Sequence, residues 1–217
     1  NNNYMNGSGV AAGDFDGDGL CDLYFCSIVG TNALYRNLGG WRFKEVTATA
    51  GVALASKHST GAGFADLDGD GDLDLLVATL GSGVHSFIND GHGRFTETTA
   101  EAGLMAETGS TSLALADVDG DGDLDLYVAN YGAIPIMRTG GSVQIKRVNG
   151  ELIVTGPHAK RIRVVKGQLE EQGEPDVLYL NEGKGRFRAV PWDSEYFVDE
   201  AGKPLPAPLD FGLAVQM

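Results

Sequence analysis

Asp66-Leu-Asp-Gly-Asp-Gly-Asp-Leu-Asp-Leu75 is the stretch of this sequence that decides the fold. Its pattern of aspartates and glycines recurs at Asp14-Phe-Asp-Gly-Asp-Gly-Leu-Cys-Asp-Leu23 and at Asp117-Val-Asp-Gly-Asp-Gly-Asp-Leu-Asp-Leu126. The first aspartates of the copies lie 52 and then 51 residues apart. Because four or five carboxylates crowded into one short loop repel one another, each loop needs a cation among them. The regular repetition therefore indicates both bound cations and a repeat architecture.

The cation that suits these loops is Ca²⁺, which takes six to eight oxygen ligands at about 2.3–2.6 Å. Aspartates at positions 1, 3 and 5 of each motif can surround one centre, because glycine at position 6 allows a sharp turn. Position 7 is expected to offer its backbone carbonyl, and the aspartate at position 9 to complete the shell. The predicted ligands of the three sites are Asp14, Asp16, Asp18, Leu20 and Asp22; Asp66, Asp68, Asp70, Asp72 and Asp74; and Asp117, Asp119, Asp121, Asp123 and Asp125.

Three other interpretations of the acidic motif are less favoured. An EF-hand requires a glutamate at position 12 and flanking helices, whereas position 12 is Phe25, Val77 or Val128, within runs typical of strands. Magnesium prefers a shell rich in water. Acidic turns that bind no metal would not explain why the three copies share ligand positions, glycines and apolar flanks.

Bulk composition excludes several classes of function. The net charge is −14, and nearly half of the 30 acidic residues lie in the three loops. Such a balance disfavours nucleic-acid binding. No uninterrupted apolar stretch approaches the length that spans a membrane. Neither zinc-binding histidine spacing nor a nucleophile-elbow or phosphate-loop motif is present, and no catalytic residues are predicted.

The elements around each loop repeat in the same order. A lead-in of small and apolar residues precedes the loop, and a β-rich run follows it. A turn containing asparagine comes next (Asn37, Asn89, Asn181), then a glycine-rich tip and a further strand. Four short strands in about 50 residues are the size of one propeller blade. The sequence therefore predicts an all-β fold, a β-propeller segment with four-stranded blades over residues 1–217.

The predicted divisions of the chain are three repeats and the start of a fourth. Repeat 1 covers about residues 8–58, repeat 2 about 59–109 and repeat 3 about 110–200. Residues 205–217 are expected to start a further blade, because Gly212-Leu-Ala-Val215 is similar to the earlier lead-ins. Since three blades cannot close a ring, we expect this segment to belong to a longer protein. On its own it is expected either to form an open arc prone to aggregation or to assemble with another chain.

The lead-in and acidic loop together resemble the FG-GAP/VCBS repeat of integrin-α-type propellers. Four segments are similar to the cartilage acidic protein/UnbV (ASPIC) group of secreted proteins: Asp22-Leu-Tyr-Phe-Cys26, Leu34-Tyr-Arg-Asn37, Asp125-Leu-Tyr-Val-Ala-Asn130 and Asp210-Phe-Gly-Leu213. The resemblance covers about residues 8–131 and 176–217. It implies a calcium-bearing propeller of seven or eight blades outside the cytoplasm, and it does not imply a catalytic activity.

Repeat 3 is longer than the others and contains an insertion at about residues 132–175. Alternating residues on either side of Asn149-Gly150 predict a hairpin with a type I′ turn. The stretch from Arg161 to Val165 is expected to add a third strand, and residues 170–174 to form a return loop. The basic residues proposed to bind a partner are Lys146, Arg147, Lys160, Arg161 and Arg163. The alternative is a solvated decoration that covers a blade edge.

Three functions are weighed for this chain. The favoured one is a non-catalytic, extracytoplasmic calcium-binding module for protein–protein binding, scaffolding or adhesion. A carbohydrate-binding propeller is the second, and a calcium-dependent polysaccharide lyase or hydrolase the third. Secreted, periplasmic or cell-surface location is expected because such sites suit millimolar calcium. The tryptophans Trp41 and Trp192 are expected to pack at strand ends rather than stack on a sugar.

Overall fold

The computed structural model describes residues 8–104, 107–132, 143–156 and 159–207. Within these ranges the chain forms three four-stranded antiparallel sheets and two separate hairpins. The first sheet contains, in spatial and chain order, β1 (Val10–Gly13), β2 (Asp22–Phe25), β3 (Ala33–Asn37) and β4 (Phe43–Glu45). A four-residue helix, α1 (Thr47–Ala50), follows β4 and ends at Gly51 in the left-handed conformation.

The second sheet repeats the first, with β5 (Ser59–Ala65), β6 (Asp74–Thr79), β7 (Gly83–Asn89) and β8 (Phe95–Glu97). The third begins with β9 (Ser110–Ala116) and β10 (Asp125–Asn130). The chain then leaves this sheet for the insertion and returns to complete it. The insertion contains β11 (Gln144–Val148), β12 (Glu151–Thr155), a 3-10 turn (Ala159–Arg161), β13 (Ile162–Val165) and β14 (Gln168–Glu171). The returning strands are β15 (Val177–Asn181) and β16 (Phe187–Val190).

Successive sheets pack face to face through apolar side chains. Tyr24 and Leu34 of the first sheet lie in one buried cluster with Leu75, Val77 and Phe87 of the second. A second cluster joins the second and third sheets in the same way, and its members include Leu76, Val84, Leu126, Val128 and Tyr179. Each large side chain buried in this way contributes about 1.5–3 kcal/mol. The stacking of sheets is thus the main source of stability.

Small residues allow the first strands of neighbouring sheets to approach closely. These strands, β1, β5 and β9, contact one another in sequence. A Cβ atom at Gly9 would lie 2.7 Å from the Cα atom of Gly61, and one at Gly61 would lie 3.3 Å from the carbonyl oxygen of Thr111. The glycine and alanine content of the lead-ins therefore has a packing cause.

This architecture confirms the predicted all-β fold with four-stranded antiparallel sheets, and it corrects three details. The segment after Arg161 pairs with β14 in its own hairpin rather than adding a strand to β11 and β12. Glu170 and Glu171 belong to β14, so the predicted return loop begins later. Trp41 is 94% exposed at a turn tip, not packed at a strand end.

Two predicted features fall on parts of the chain outside the described residues. These are the lead-in from Gly212 to Val215, expected to start a further blade, and most of the first half of the insertion, residues 133–142. The repeat boundaries and the number of blades in a complete ring stay predictions.

Trp192, unlike Trp41, packs at a strand end as expected. It stacks on Phe197 with ring centroids 3.9 Å apart and donates its indole N–H to the carbonyl of Asp176.

Candidate metal centres

The three acidic loops occupy equivalent corners of the three sheets. Each loop joins the first strand of its sheet to the second: β1 to β2, β5 to β6 and β9 to β10. The two strands pair directly, with Gly13 opposite Asp22, Ala65 opposite Asp74 and Ala116 opposite Asp125. The register of the strand pair therefore brings both ends of the loop together and gathers its carboxylates in space.

In each loop, three aspartates come close enough to share one cation. Each contributes an oxygen, and the three oxygens lie within 4.8 Å of one another. The first two triplets use positions 1, 3 and 5, and the third uses positions 1, 3 and 9: Asp14, Asp16 and Asp18; Asp66, Asp68 and Asp70; Asp117, Asp119 and Asp125. Carboxylate oxygens at this spacing are the donor set that Ca²⁺ prefers.

Glycines allow the loop backbone to fold around the centre. At position 6, Gly19, Gly71 and Gly122 have φ values of +84°, +95° and +97°. This left-handed region strains residues that carry a Cβ atom. The aspartate at position 1 stabilises the turn by accepting hydrogen bonds: the two oxygens of Asp66 accept from the backbone N–H groups of Gly69 at 2.8 Å and Gly71 at 3.0 Å.

The aspartate at position 3 is partly buried in the first two loops. Burial raises the pKa of Asp16 against the charge of Arg36, which lowers it. Burial likewise raises the pKa of Asp68, against a backbone hydrogen bond from Asp70 that lowers it. The Oδ1 atom of Asp16 is buried and accepts no hydrogen bond from the described residues. A buried carboxylate oxygen without a donor costs free energy unless a cation satisfies it. The residues present therefore fit a calcium ion.

The aspartate at position 9 is buried and joins the loop to a neighbouring strand. Asp22, Asp74 and Asp125 are fully buried, and each accepts two backbone hydrogen bonds. Asp74 accepts from Leu67 within the loop at 2.9 Å and from Asn89 at the end of β7 at 2.8 Å. Burial raises the pKa of Asp74 to about 6 although these bonds lower it. Its role as a calcium ligand stays a prediction.

The residue at position 7 stabilises each loop through its backbone N–H group. The N–H groups of Leu20, Asp72 and Asp123 each donate to the Oδ1 atom of the position-5 aspartate, at 2.9 Å in all three loops. This bond orients the position-5 carboxylate. The predicted carbonyl ligation at position 7 stays a prediction.

The loops and sheets match a known repeat family. The family model described as FG-GAP-like repeat matches residues 14–77 and 66–128, which together make up more than half of the chain. The chain belongs to the FG-GAP-like repeat family.

Curated relatives of this FG-GAP-like chain include cartilage acidic protein 1 from three vertebrates. The Xenopus tropicalis protein is 26% identical over 132 residues, which are 59% of this chain and 20% of the relative. The human and mouse proteins are each 32% identical over 73 residues, which are 34% of this chain and 11% of the relative. The chain thus aligns with a fifth or less of the length of these relatives.

Asparagines at the ends of the third strands of the second and third sheets link these sheets to the FG-GAP-like loop of the preceding sheet. The Nδ2 atom of Asn89 donates to the carbonyl of Phe15 in the preceding loop at 2.7 Å, and that of Asn181 donates to the carbonyl of Leu67 at 2.9 Å. Both asparagines are buried. The recurring Asn was visible in the sequence, but its partner in another repeat was not.

The basic residues of the insertion lie on the two hairpins. Lys146 and Arg147 are exposed on β11, and Arg163 is exposed on β13. Arg161 is half-buried and donates to Glu171 at 2.9 Å. The side chain of Lys160 lies outside the described residues. Of the residues proposed to bind a partner, Lys146, Arg147 and Arg163 are therefore exposed, whereas Arg161 forms an ion pair within its own hairpin.

No helix in the described part of the chain is long and apolar enough to cross a membrane.

Proposed function

We propose that this chain is a calcium-binding, non-catalytic module that binds a protein partner outside the cytoplasm, as a scaffold or adhesion element. The observation that carries the proposal is the triple occurrence of an aspartate cluster at the same corner of consecutive sheets. An active site is normally built once, whereas a structural ion site recurs with each structural repeat. The aspartates are therefore assigned to stability rather than to catalysis.

When bound, calcium would supply positive charge and six to eight coordination positions to each cluster. Asp14, Asp16 and Asp18, and their counterparts in the other loops, would hold it. The buried aspartate at position 9 fixes the loop to the strand that ends in asparagine, through the bonds from Phe15 and Asn37 to Asp22. The asparagine of the next sheet then bonds to the loop carbonyl at position 2. Loop geometry and the contact between sheets are thus coupled.

The positive charge and the exposed apolar residues of the insertion support a protein partner. Its hairpins project Lys146, Arg147 and Arg163 from a chain whose net charge is −14. Ile145 and Ile153 on the same hairpin are 46% and 42% exposed. Basic groups interspersed with exposed apolar ones suit an acidic protein surface, because charge steers the encounter and apolar area provides affinity.

Extracytoplasmic location is supported by the proposed metal. Calcium-binding modules that work outside cells have dissociation constants of about 10⁻⁴–10⁻³ M. Exposed loops of this affinity would bind calcium at the millimolar concentrations found outside cells. Secreted, periplasmic and cell-surface locations all satisfy this condition.

The proposal is tested by capture on immobilised chain, first in millimolar calcium and then after chelation. Protein and glycan that elute are both identified. The matched variant is Lys146→Glu/Arg147→Glu, which reverses charge on β11 without touching a loop aspartate. We expect a stoichiometric protein partner that is released by chelation and lost in the variant. Partner binding that is equal in all conditions would contradict the proposal.

A glycan ligand is the alternative, and the exposed side chain of Trp41 is the observation in its favour. The same experiment includes Trp41→Ala. Elution of glycan alone, lost in Trp41→Ala and retained in the charge-reversal variant, would replace the protein-binding proposal with the carbohydrate-binding one.

A further inference from the structure

The first acidic loop differs from the other two because it already contains a cationic side chain. The guanidinium group of Arg36, on β3, forms an ion pair with Asp16 through Nε and donates to Asp18 through Nη2 at 2.9 Å. Both carboxylates belong to the aspartate triplet of this loop. The arginine therefore competes for oxygens that a metal ion needs.

The other two repeats have no counterpart of this arginine. Arg36 directly precedes Asn37, the residue whose N–H bonds to Asp22. The equivalent asparagines are Asn89 and Asn181, whose N–H groups bond to Asp74 and Asp125. The residues before them are Ile88 and Leu180. Isoleucine and leucine cannot pair with a carboxylate, so loops 2 and 3 have no such competitor at this position.

The ion pair lies in partly desolvated surroundings, which strengthens its effect. The side chain of Asp16 is 12% exposed, that of Asp18 is 26% exposed and that of Arg36 is 41% exposed. Calcium can enter this loop in two ways. If Arg36 leaves, the ion pair with Asp16 and the charge-assisted hydrogen bond to Asp18 are lost. If Arg36 stays, its charge repels the ion at short range. Both routes weaken calcium binding at the first loop relative to the others.

We propose that Arg36 makes the first loop a weaker calcium site, which fills at higher calcium concentration than loops 2 and 3. The proposal rests on the calcium-binding function proposed above. The two ion pairs are expected to weaken binding roughly tenfold relative to the other loops. Below the calcium concentration that fills this loop, Arg36 offsets part of the negative charge of its aspartates, so the first loop is expected to gain its ion at higher calcium than the other two.

The test is a calorimetric titration of the metal-free chain with calcium chloride. For the unaltered chain we expect two tight sites and one weaker site. Arg36→Ile places the residue of the second repeat at this position and is expected to bring the third site into the tight class. Arg36→Leu, which copies the third repeat, is the second variant should Arg36→Ile fold poorly. Lys203→Ile, with the same change in charge at an exposed position outside the loops and the insertion, is expected to leave the weak site unchanged.

Single aspartate variants assign the steps of the titration to loops. Asp16→Ala is expected to abolish the weak step, and Asp68→Ala or Asp119→Ala to remove one tight step each. Three indistinguishable sites in the unaltered chain, or a weak step that persists in both Arg36 variants, would overturn the proposal about Arg36 and leave the calcium function intact. Absence of calcium binding in every protein would overturn both.

Discussion

The aspartates of one loop carry out distinct tasks although they share one motif. Asp66 and Asp68 contribute to the cluster that can hold a cation, and Asp66 also bonds to the loop backbone. Asp74 is buried and joins the loop to β7. Asn89 then joins the end of β7 to the preceding loop. A metal cluster, a strand pair and a contact between sheets are thus connected through a few residues.

Removing an asparagine that links two sheets should destabilise the protein. We expect Asn89→Ala and Asn181→Ala each to lower the free energy of unfolding by about 1–3 kcal/mol, because buried carbonyls of Phe15 or Leu67 lose their donor. Urea denaturation followed by circular dichroism measures this effect. Asn37→Ala is the matched control, since the side chain of Asn37 donates to Cys21 in its own loop. A loss as large for Asn37→Ala as for Asn89→Ala would contradict the role of the inter-sheet bond.

Loop aspartates should differ in their importance for metal binding according to position. Asp68→Ala and Asp119→Ala are each expected to remove one calcium ion and to destabilise the chain, because each removes a carboxylate from its triplet. Asp72→Ala is expected to retain all three ions, because position 7 is predicted to bind through its backbone carbonyl. Native mass spectrometry in calcium counts the ions. Loss of an ion in Asp72→Ala would show that its side chain is a ligand.

At the level of elements, the insertion shows how much local sequence can predict. The turn of the first hairpin was predicted from Asn149-Gly150, and the structure confirms it with φ values of +52° and +87°, as a type I′ turn requires. The second hairpin was missed, although Lys166 and Gly167 have the same signs of φ, +49° and +78°. Glycine at its second position was the available signal, but lysine at the first position is not a typical turn former.

The first hairpin of the insertion can be weakened without changing the metal loops. Gly150→Ala is expected to destabilise the pairing of β11 and β12 by about 1–2 kcal/mol, because alanine is strained at positive φ. Amide hydrogen exchange across Ile145 to Ile153 should accelerate while exchange in β13 and β14 is unchanged. Gly167→Ala should produce the reverse pattern. Faster exchange throughout both hairpins in either variant would show that the insertion folds as one unit.

Considered as a whole molecule, the first sheet has one face that no other described sheet covers. Leu23, Phe25, Tyr35 and Phe43 line an open depression of about 510 Å³ on the first sheet. Their counterparts in the second sheet, Leu75, Val77, Phe87 and Phe95, are buried against the first sheet. The predicted ring of blades would cover this face in the same manner.

Self-association of the 217-residue chain should therefore depend on this face. Phe25 is 43% exposed on this face, and Phe25→Lys places a charge there. We expect this variant to raise the dissociation constant of self-association at least about tenfold, because loss of one central apolar contact typically weakens an interface by this amount. Analytical ultracentrifugation over a concentration series measures this change. Val29→Lys is the control, because Val29 is 67% exposed in the loop between β2 and β3. An equal effect of both variants would indicate a general effect of charge.

The fold and the metal loops were predictable because their determinants are local. Aspartate spacing, the glycine at position 6 and the alternation of apolar residues each act within about ten residues. The asparagine bonds between sheets and the ion pair of Arg36 depend on how distant segments meet. Asp22 and Asp74 each lie 15 residues before the asparagine that bonds to them, but this separation is 56 residues for Asp125 because of the insertion. No local pattern identifies such partners.

The measurement that tests the central claim most directly is the melting temperature of the chain in millimolar calcium and after addition of excess EGTA. A site in calcium at 10 times its dissociation constant adds about 1.4 kcal/mol, which corresponds to a rise of roughly 3–6 °C in a chain of this size. Since two or three such sites add together, we predict a fall of at least about 5 °C on chelation, reversed by calcium and not by magnesium. An identical melting temperature with and without EGTA would contradict the assignment of the aspartate loops to calcium.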